Sequence, residues 1–294
     1  GTNYQDLISF STISPQDVYV SKSGDDLTGD GGQTMPFTTV QKALDTVAAN
    51  GIIHVLAGTY TEDLTWPAKS GLTLTSVSPN NYQQFIIRGS STALTIAQPV
   101  SATIQGMTFT GTGTGLRISN ASAQVTIDHT AVSGNTSYGI NSDGLLNIIN
   151  SLVVRNSGVS GININNGQVQ MAHTTVADNS GYGLNNGTSG IVNITANIFW
   201  GNNTQLNNTG TLQINYSVVQ GGYTVTAITT LDPKLVATSY AIAFGSSAID
   251  LLNSPITIDI TNEIRPDGAL ADAGAYEYRA PRITTYAPSR DASG

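Results

Sequence analysis

Apolar residues in the middle of this chain recur in short runs at intervals of about 22 residues. Each run opens on isoleucine or methionine and closes on valine or phenylalanine. The runs are residues 104–109, 127–132, 149–154, 171–176, 194–199 and 214–219. A second apolar column follows them, at Leu116, Ile140, Ile162, Leu184 and Leu206. Fixed-period repetition of strand-like runs predicts a stacked solenoid, in which each unit buries its apolar edge against its neighbours.

The length of the unit indicates which solenoid it builds. Each unit is too short for a helix-containing repeat, and its short β-type runs are separated by Gly, Asn and Ser. A parallel β-helix is built in this way, because each strand pairs with its equivalent one coil on, about 4.8 Å away. Leucine-rich repeats have a similar period, but their leucine and asparagine signature is missing. Antiparallel sandwiches need hairpins and would not produce columns of like residues.

We therefore predict an all-β, single-domain parallel β-helix of nine or ten coils, about 45 Å long. Residues 38–50 change to a helical period, with Thr38 and Gln41 placed as a capping box, and predict one N-terminal capping helix. Such a helix would cover the unpaired backbone at the end of a solenoid. The resulting segments are an arm (1–17), a cap with the helix (18–51), the coils (52–223), the last coils with a C-terminal cap (224–278) and a polar tail or linker (279–294).

Two further columns predict how the turns are filled. Asparagines stand directly after the second apolar column, and in register they can pass amide hydrogen bonds from coil to coil. This structural ladder consists of Asn141, Asn163, Asn185 and Asn207. His129 and His173 share another column two coils apart, with Ser151 between them. At about 9.6 Å they are too distant to share a metal, so we expect both to fill turns.

Charge and composition exclude several function classes. Charged residues make up only 10% of the chain and the net charge is −8, which argues against nucleic acid and disfavours anionic membranes. Polyanionic glycans would need a bridging cation. The sequence has no cysteine, and no apolar run approaches the roughly 20 residues of a membrane span. It begins with glycine, which fits a processed, secreted product or a trimmed one.

Both ends of the chain carry extended motifs. Residues 18–44 and 53–62 open the sequence, and residues 247–250, 265–268 and 272–277 close it. These segments resemble right-handed parallel β-helix proteins of the pectate-lyase-like superfamily, and the closing part resembles bacterial cell-surface members, although Ser247 replaces their usual proline. The resemblance implies a right-handed β-helix, a secreted or cell-surface location and frequent carbohydrate contact. It covers lyases, hydrolases, adhesins and structural fibres, so it implies no reaction type.

Few charged residues are available for catalysis. A lyase needs a Lys or Arg base with calcium, and a hydrolase needs two or three carboxylates facing one cleft. Arg155 and Asp178 are expected in neighbouring outward columns of adjacent coils, where they would form an exposed ion pair or the floor of a groove. Asp128 lies a coil or more away. These three are the weak catalytic candidates, and whether the chain is an enzyme stays open, with a non-catalytic role favoured.

Two other groups are candidate binding sites. Asp25, Asp26 and Asp30 lie in a glycine-rich loop that would suit calcium, although no EF-hand spacing is present; the alternative is that they cap turns and the helix. No cofactor is required. Tyr138 and Tyr182 occupy equivalent places two coils apart, and with Trp200 they form a candidate sugar-stacking platform.

The function favoured by these observations is a secreted or cell-surface, non-catalytic structural rod that self-assembles, with residues 1–17 and 279–294 as contact arms. The alternatives are a polysaccharide-active lyase or hydrolase and a carbohydrate-binding adhesin. Arg265, near Asp267 and Glu277, is expected to form an ion pair that closes the C-terminal cap.

Overall fold

The structure is a computed structural model that describes residues 14–224 and 227–280. Its strands, numbered in chain order, form three parallel sheets along a solenoid of about eight turns. Sheet A contains β1 Asp17–Val20, β2 Ile52–Val55, β5 Leu72–Ser76, β8 Ser101–Gln105, β11 Gln124–Asp128, β14 Leu145–Ile149, β17 Gln168–Ala172, β20 Ile191–Thr195 and β23 Thr211–Asn215.

The other two sheets complete each coil. Sheet B contains β3 Gly58–Thr61, β6 Phe85–Gly89, β9 Thr108–Gly111, β12 Ala131–Ser133, β15 Leu152–Val154, β18 Thr175–Ala177, β21 Ile198–Trp200, β24 Ser217–Val219 and β25 Ile228–Thr229. Sheet C contains β4 Leu64–Thr65, β7 Thr92–Ile96, β10 Thr114–Ile118, β13 Tyr138–Ser142, β16 Ser160–Ile164, β19 Tyr182–Asn186 and β22 Thr204–Asn208. The predicted parallel β-helix is confirmed.

The second apolar column is in register, since Leu116, Ile140, Ile162, Leu184 and Leu206 pair in sequence along sheet C. In the first apolar column, the predicted alignment is shifted by one residue in one coil. Ile127 pairs with Ile148, not with Ile149, and Ile148 pairs with Met171. Because two isoleucines are adjacent there, either one satisfies the apolar pattern, and the expected register was wrong by one residue between 149 and 154.

The turn between sheets A and B explains the true register. Its central residue is left-handed in every regular coil, at Gly106, His129, Asn150, His173, Ala196 and Tyr216. Asn150, not Ser151, therefore lies between the two histidines. Glycine and asparagine tolerate positive φ better than serine does, so this turn selects the register that the apolar pattern leaves ambiguous.

The N-terminal end of the solenoid is covered by α1, Val40–Thr46. Val40, Ala43 and Leu44 are buried against the first coils. The N-cap is Thr39, whose hydroxyl accepts from the Lys42 N–H, so the expected capping box beginning at Thr38 was one residue early. A 3₁₀ helix, Pro79–Gln84, lies farther along beside sheet B.

Residues 231–280, here called the C-terminal segment, do not close the far end of the rod as expected. They fold back over the outer face of sheet B. Ile260 and Ala275 pack with Leu152 in one apolar cluster, and Ala248 packs with Val218 in another. The Tyr276 hydroxyl lies 2.9 Å from that of Tyr82, on the 3₁₀ helix. Strands of sheet B are consequently buried on both faces, as in a covered parallel sheet.

Candidate functional site

The asparagine ladder on sheet C is present as predicted. Asn163 donates to Asn141 at 3.0 Å, and Asn185 and Asn207 continue the chain at 2.6 Å each. A second, fully buried ladder follows sheet B and was missed, although its spacing is visible in the sequence. It consists of Asn135, Asn156, Asn179 and Asn202. Both ladders use their amides within the protein, which makes them structural.

Sheet A presents another outward-facing column, which consists of threonines in the earlier coils and of amide side chains in the later ones. The positions that pair from coil to coil are Thr103, Thr126, Asn147, Gln170, Asn193 and Gln213. The neighbouring outward column is Ser101, Gln124, Leu145, Gln168 and Ile191. The first four members of each column line a groove of about 320 Å³, together with Gly71, Ala102, Val125 and Leu146. We call it the amide groove.

Four amides in this groove have no hydrogen-bond partner within the described part of the protein. They are Gln124, Asn147, Gln168 and Gln170. Each amide can donate two hydrogen bonds and accept others. None of the residues that line the groove is charged. Asn147 and Gln170 lie on successive coils, about 4.8 Å apart, while Gln124 and Gln168 lie two coils apart with Leu145 between them. The groove thus presents neutral donors and acceptors on three successive coils.

A second groove, here called the flank groove, lies between sheet B and the C-terminal segment. Its volume is about 290 Å³. It is lined by Tyr82, Gln83, Thr108, Thr110, Ala131, Ser133, Gly134, Leu152, Val154, Arg155, Thr238, Ser239 and Tyr240. Arg155 is the only charged residue among them, and it was one of the catalytic candidates.

Arg155 and Asp178 occupy the same column of adjacent coils, with φ of 54° each, where neighbouring coils have Gly134 and Gly201. In the part of the chain that the structure describes, no ion pair joins Arg155 to Asp178. Each of them contacts the side chain of Tyr240 instead. The Arg155 guanidinium stands 4.9 Å from the centre of the Tyr240 ring, and the Tyr240 hydroxyl donates to Asp178 at 2.8 Å. The expected ion pair is therefore replaced by a clamp on the C-terminal segment.

This clamp has an electrostatic signature. Burial, followed by the hydrogen bond to Asp178, raises the pKa of the Tyr240 hydroxyl above its ordinary value. Arg155 also donates to the Ala237 carbonyl oxygen.

Asp128, the third catalytic candidate, does not belong to this cluster. It ends β11 on sheet A, 2.7 Å from His129 and 3.3 Å from Gln105.

The three carboxylates proposed for calcium do not converge on one point. Asp25 and Asp30 accept backbone N–H groups of their own turns, and Asp26 accepts from Thr38 and Thr39 beside the start of α1. In residues 14–224 and 227–280 no three acidic or histidine side chains lie close enough together to hold a metal ion. The observed contacts are those of the capping alternative.

The aromatic candidates are divided between two sheets. Tyr138 and Tyr182 are half-buried on sheet C, each paired with Ser160, which lies between them. Trp200 ends β21 on sheet B and packs in a cluster with Ile198, beneath the C-terminal segment. A continuous platform of all three residues was therefore a wrong expectation, and only the two tyrosines share a face.

The C-terminal segment is held by a buried ion cluster. The Arg265 guanidinium, 1% exposed, lies 3.2 Å from the Glu277 carboxylate and 2.8 Å from His173 Nδ1. It also donates to the Asp272 carbonyl oxygen at 2.6 Å. Burial, followed by the nearby Arg265, lowers the pKa of His173 to about 3, and burial raises the pKa of Glu277 to about 7.

His173 also contacts a serine, since its Nε2 lies 2.7 Å from Ser254 Oγ. His173 Nδ1 lies 2.8 Å from the Arg265 guanidinium and 2.9 Å from the Asp272 carbonyl oxygen, so both ring nitrogens are engaged by the C-terminal segment. These contacts tie the coil that carries His173 to that segment.

A solved structure shares the architecture of this chain. The pectate lyase Pel9A aligns with a TM-score of 0.57 over 91% of this chain and 98% of that one, with 17% identity. This chain is a right-handed parallel β-helix of the pectate-lyase-like fold. Two pectin methylesterases align less closely. The enzyme from carrot gives a TM-score of 0.41 at 16% identity, over 71% of this β-helix and 64% of that chain.

PemA from Erwinia chrysanthemi gives a TM-score of 0.35 at 15% identity, over 73% of the β-helix and 66% of that chain. The β-helix thus spans about two thirds of the length of these methylesterases. No family model and no curated protein matches its sequence. Within the described ranges, the β-helix has no helix that is both long enough and apolar enough to cross a membrane.

Proposed function

We propose that this β-helix is a secreted or cell-surface protein that binds a neutral polysaccharide along the amide groove without cleaving it. The observation that carries the proposal is the set of four unpartnered amides, which two adjacent columns present on three successive coils. Pel9A, which has the same fold, is named as a pectate lyase, so a polysaccharide is the class of ligand that this comparison also favours.

The chemistry of the groove fits sugar hydroxyls. An amide can donate to one hydroxyl and accept from the next, and amides on three successive coils can repeat this contact along an extended glycan. Leu145, 38% exposed, offers an apolar contact for the C–H face of a ring between Gln124 and Gln168. A neutral ligand is favoured because the groove has no cation and the chain carries a net charge of −8.

Affinity electrophoresis against a panel of neutral and acidic polysaccharides tests this proposal. The double variant Asn147→Ala/Gln170→Ala should lose retardation by a neutral glycan, while Gln83→Ala, an amide of the flank groove, should retain it. Retardation should also be insensitive to salt, since no ion pair is involved. Loss of binding in Gln83→Ala with retention in the double variant would place the ligand in the flank groove and refute the proposal.

A polysaccharide-active enzyme is the second candidate, and one observation favours it. Arg155 brings a guanidinium to the flank groove beside the Tyr82 and Tyr240 side chains. The candidate requires product release from an acidic polysaccharide by the wild type and its loss in Arg155→Ala. Arg155→Lys, which retains a cation over Tyr240, separates loss of chemistry from loss of the clamp. Full turnover in a folded Arg155→Ala would remove Arg155 from the reaction.

The hypothesis of a self-assembling structural rod depends on residues 1–17 and 279–294 as contact arms. Most of both arms lies outside the described residues. A carbohydrate-binding role through Tyr138 and Tyr182 remains compatible with their shared face on sheet C. The double alanine variant of these tyrosines should leave binding in the amide groove unchanged, which distinguishes the two surfaces.

A further inference from the structure

The two ends of the solenoid differ. At the N-terminal end α1 covers the first coils. At the other end, β23 closes sheet A and β22 closes sheet C, and within the described residues each pairs with a neighbour on one side only. The free side of each strand carries backbone N–H and C=O groups that another strand could pair with.

The apolar core also reaches this end. In the penultimate complete coil Leu184 and Val192 are fully buried, while their equivalents in the last layer, Leu206 and Leu212, are only partly buried. Tyr223 and Ile228 cover part of the core, and β25 continues only sheet B, for two residues. The apolar side chains of the last coil are thus only partly covered.

Charge makes this end unusual. Proteins protect exposed edge strands with charged residues, proline or bulges. Here no Asp, Glu, Lys or Arg occurs between residues 179 and 231, which includes both edge strands. A second copy could therefore approach this end without like-charge repulsion, despite the net charge of −8 on each chain. A partner of opposite charge would find nothing to bind.

We propose that two copies of this chain pair through their C-terminal coils, edge to edge, about a two-fold axis. The free edge of β23 would pair antiparallel with the same strand of the second copy, and Leu206 and Leu212 would be buried. Because α1 blocks the other end, the contact is isologous and closes at two copies. Head-to-tail filaments are excluded by the same argument.

Light scattering and sedimentation of the full chain, over a wide concentration range, test whether it dimerises. The expected result is a species of two copies that does not grow further. A chain that stays monomeric at every concentration, or a mass that keeps increasing beyond two copies, overturns the proposal.

A charge variant locates the contact. Gln213→Glu places a carboxylate on the outer face of β23, where the two-fold brings it towards its copy, and should raise the dissociation constant about tenfold at low salt. High salt should restore part of the affinity. The matched control, Gln98→Glu, makes the same change in an exposed loop before β8 and should have no effect.

Three outcomes contradict the assignment. If Gln213→Glu pairs as tightly as the wild type, or if Gln98→Glu dissociates equally, the contact lies elsewhere. If a wild-type monomer becomes a dimer only after deletion of residues 281–294, the chain's own tail occupies this edge. Circular dichroism of each variant checks that the coils remain folded.

Discussion

Replacing Arg265 by methionine should detach the C-terminal segment from the flank of the rod. The guanidinium is fully buried, and its contacts join the segment to itself and to His173 of the coils. Without it, the Glu277 carboxylate would remain buried with no cation, beside the Asp272 carbonyl oxygen that also loses its donor. Removing one partner of a buried ion pair costs about 3–5 kcal/mol.

Hydrogen exchange measured by mass spectrometry gives the local effect. Protection in residues 241–278 should fall by the equivalent of about 3–5 kcal/mol, while peptides from the inner coils change less, because the stack is held by its own ladders and core. Arg265→Lys, which keeps the charge but not the planar fork, should give a smaller loss.

Arg279→Met is the matched control in the same segment. Arg279 pairs with Glu263 at 2.6 Å, but both side chains are about half exposed, so its removal should cost at most about 1 kcal/mol. Equal effects of the two substitutions, or unchanged protection in Arg265→Met, would refute the view that the buried cluster holds the segment. The double variant Arg265→Met/Glu277→Gln should recover part of the loss, since it removes the orphaned charge.

Three further predictions concern the Glu277–His173 pair, the buried asparagine ladder and the glycine column. The pKa of Glu277 is raised from 4.5 to about 7, so this group makes the free energy of unfolding fall as the pH rises. The pKa of His173 is lowered from 6.5 to about 3, so this group makes the free energy of unfolding rise with pH. The two effects oppose each other between about pH 4.5 and 6.5. Glu277→Gln should therefore make the free energy of unfolding rise with pH in this range, by at most about 1.4 kcal/mol per pH unit; a curve unchanged from wild type in urea titrations would contradict this. Asn156→Ala removes hydrogen bonds at a fully buried ladder position and should cost about 3 kcal/mol in the same titration, against about 1 kcal/mol for the half-buried ladder end Asn207→Ala, and equal costs would argue against the ladder. Gly139→Ala places a Cβ 2.4 Å from a backbone oxygen of the next coil and should lower thermal stability by about 1–3 kcal/mol, so an unchanged melting temperature would show that the coils can separate locally.

The sequence predicted the coil architecture because a solenoid repeats its interactions. A residue such as Ile162 meets the same environment as Ile140 and Leu184, so the column is visible without a structure. The error in register arose where the pattern is degenerate, at Ile148 and Ile149. The left-handed turn would have resolved it, since Asn150 suits positive φ better than Ser151.

The candidate sites were less predictable because they depend on contacts that do not repeat. Nothing in the local pattern around Tyr240 indicates that it lies between Arg155 and Asp178, more than 60 positions away from the latter. The amide groove could have been read from the sequence, since Asn147 and Gln170 occupy one outward column. What the sequence could not provide is that these amides are unpartnered, whereas those of Asn141 and Asn163 are not.

The return of the C-terminal segment along sheet B has a consequence for how this chain is made. A solenoid of independent coils can fold progressively as it leaves the ribosome, because each unit needs only its predecessor. Here Leu152 and Val154 share a cluster with Ile260, Ala275 and Tyr276, which leave the ribosome long after the coils that they cover. Until then a strip of apolar side chains on the finished coils is open to water and to other nascent chains. A chaperone that shields this strip, or a delay of folding until synthesis ends, would suppress aggregation during biogenesis.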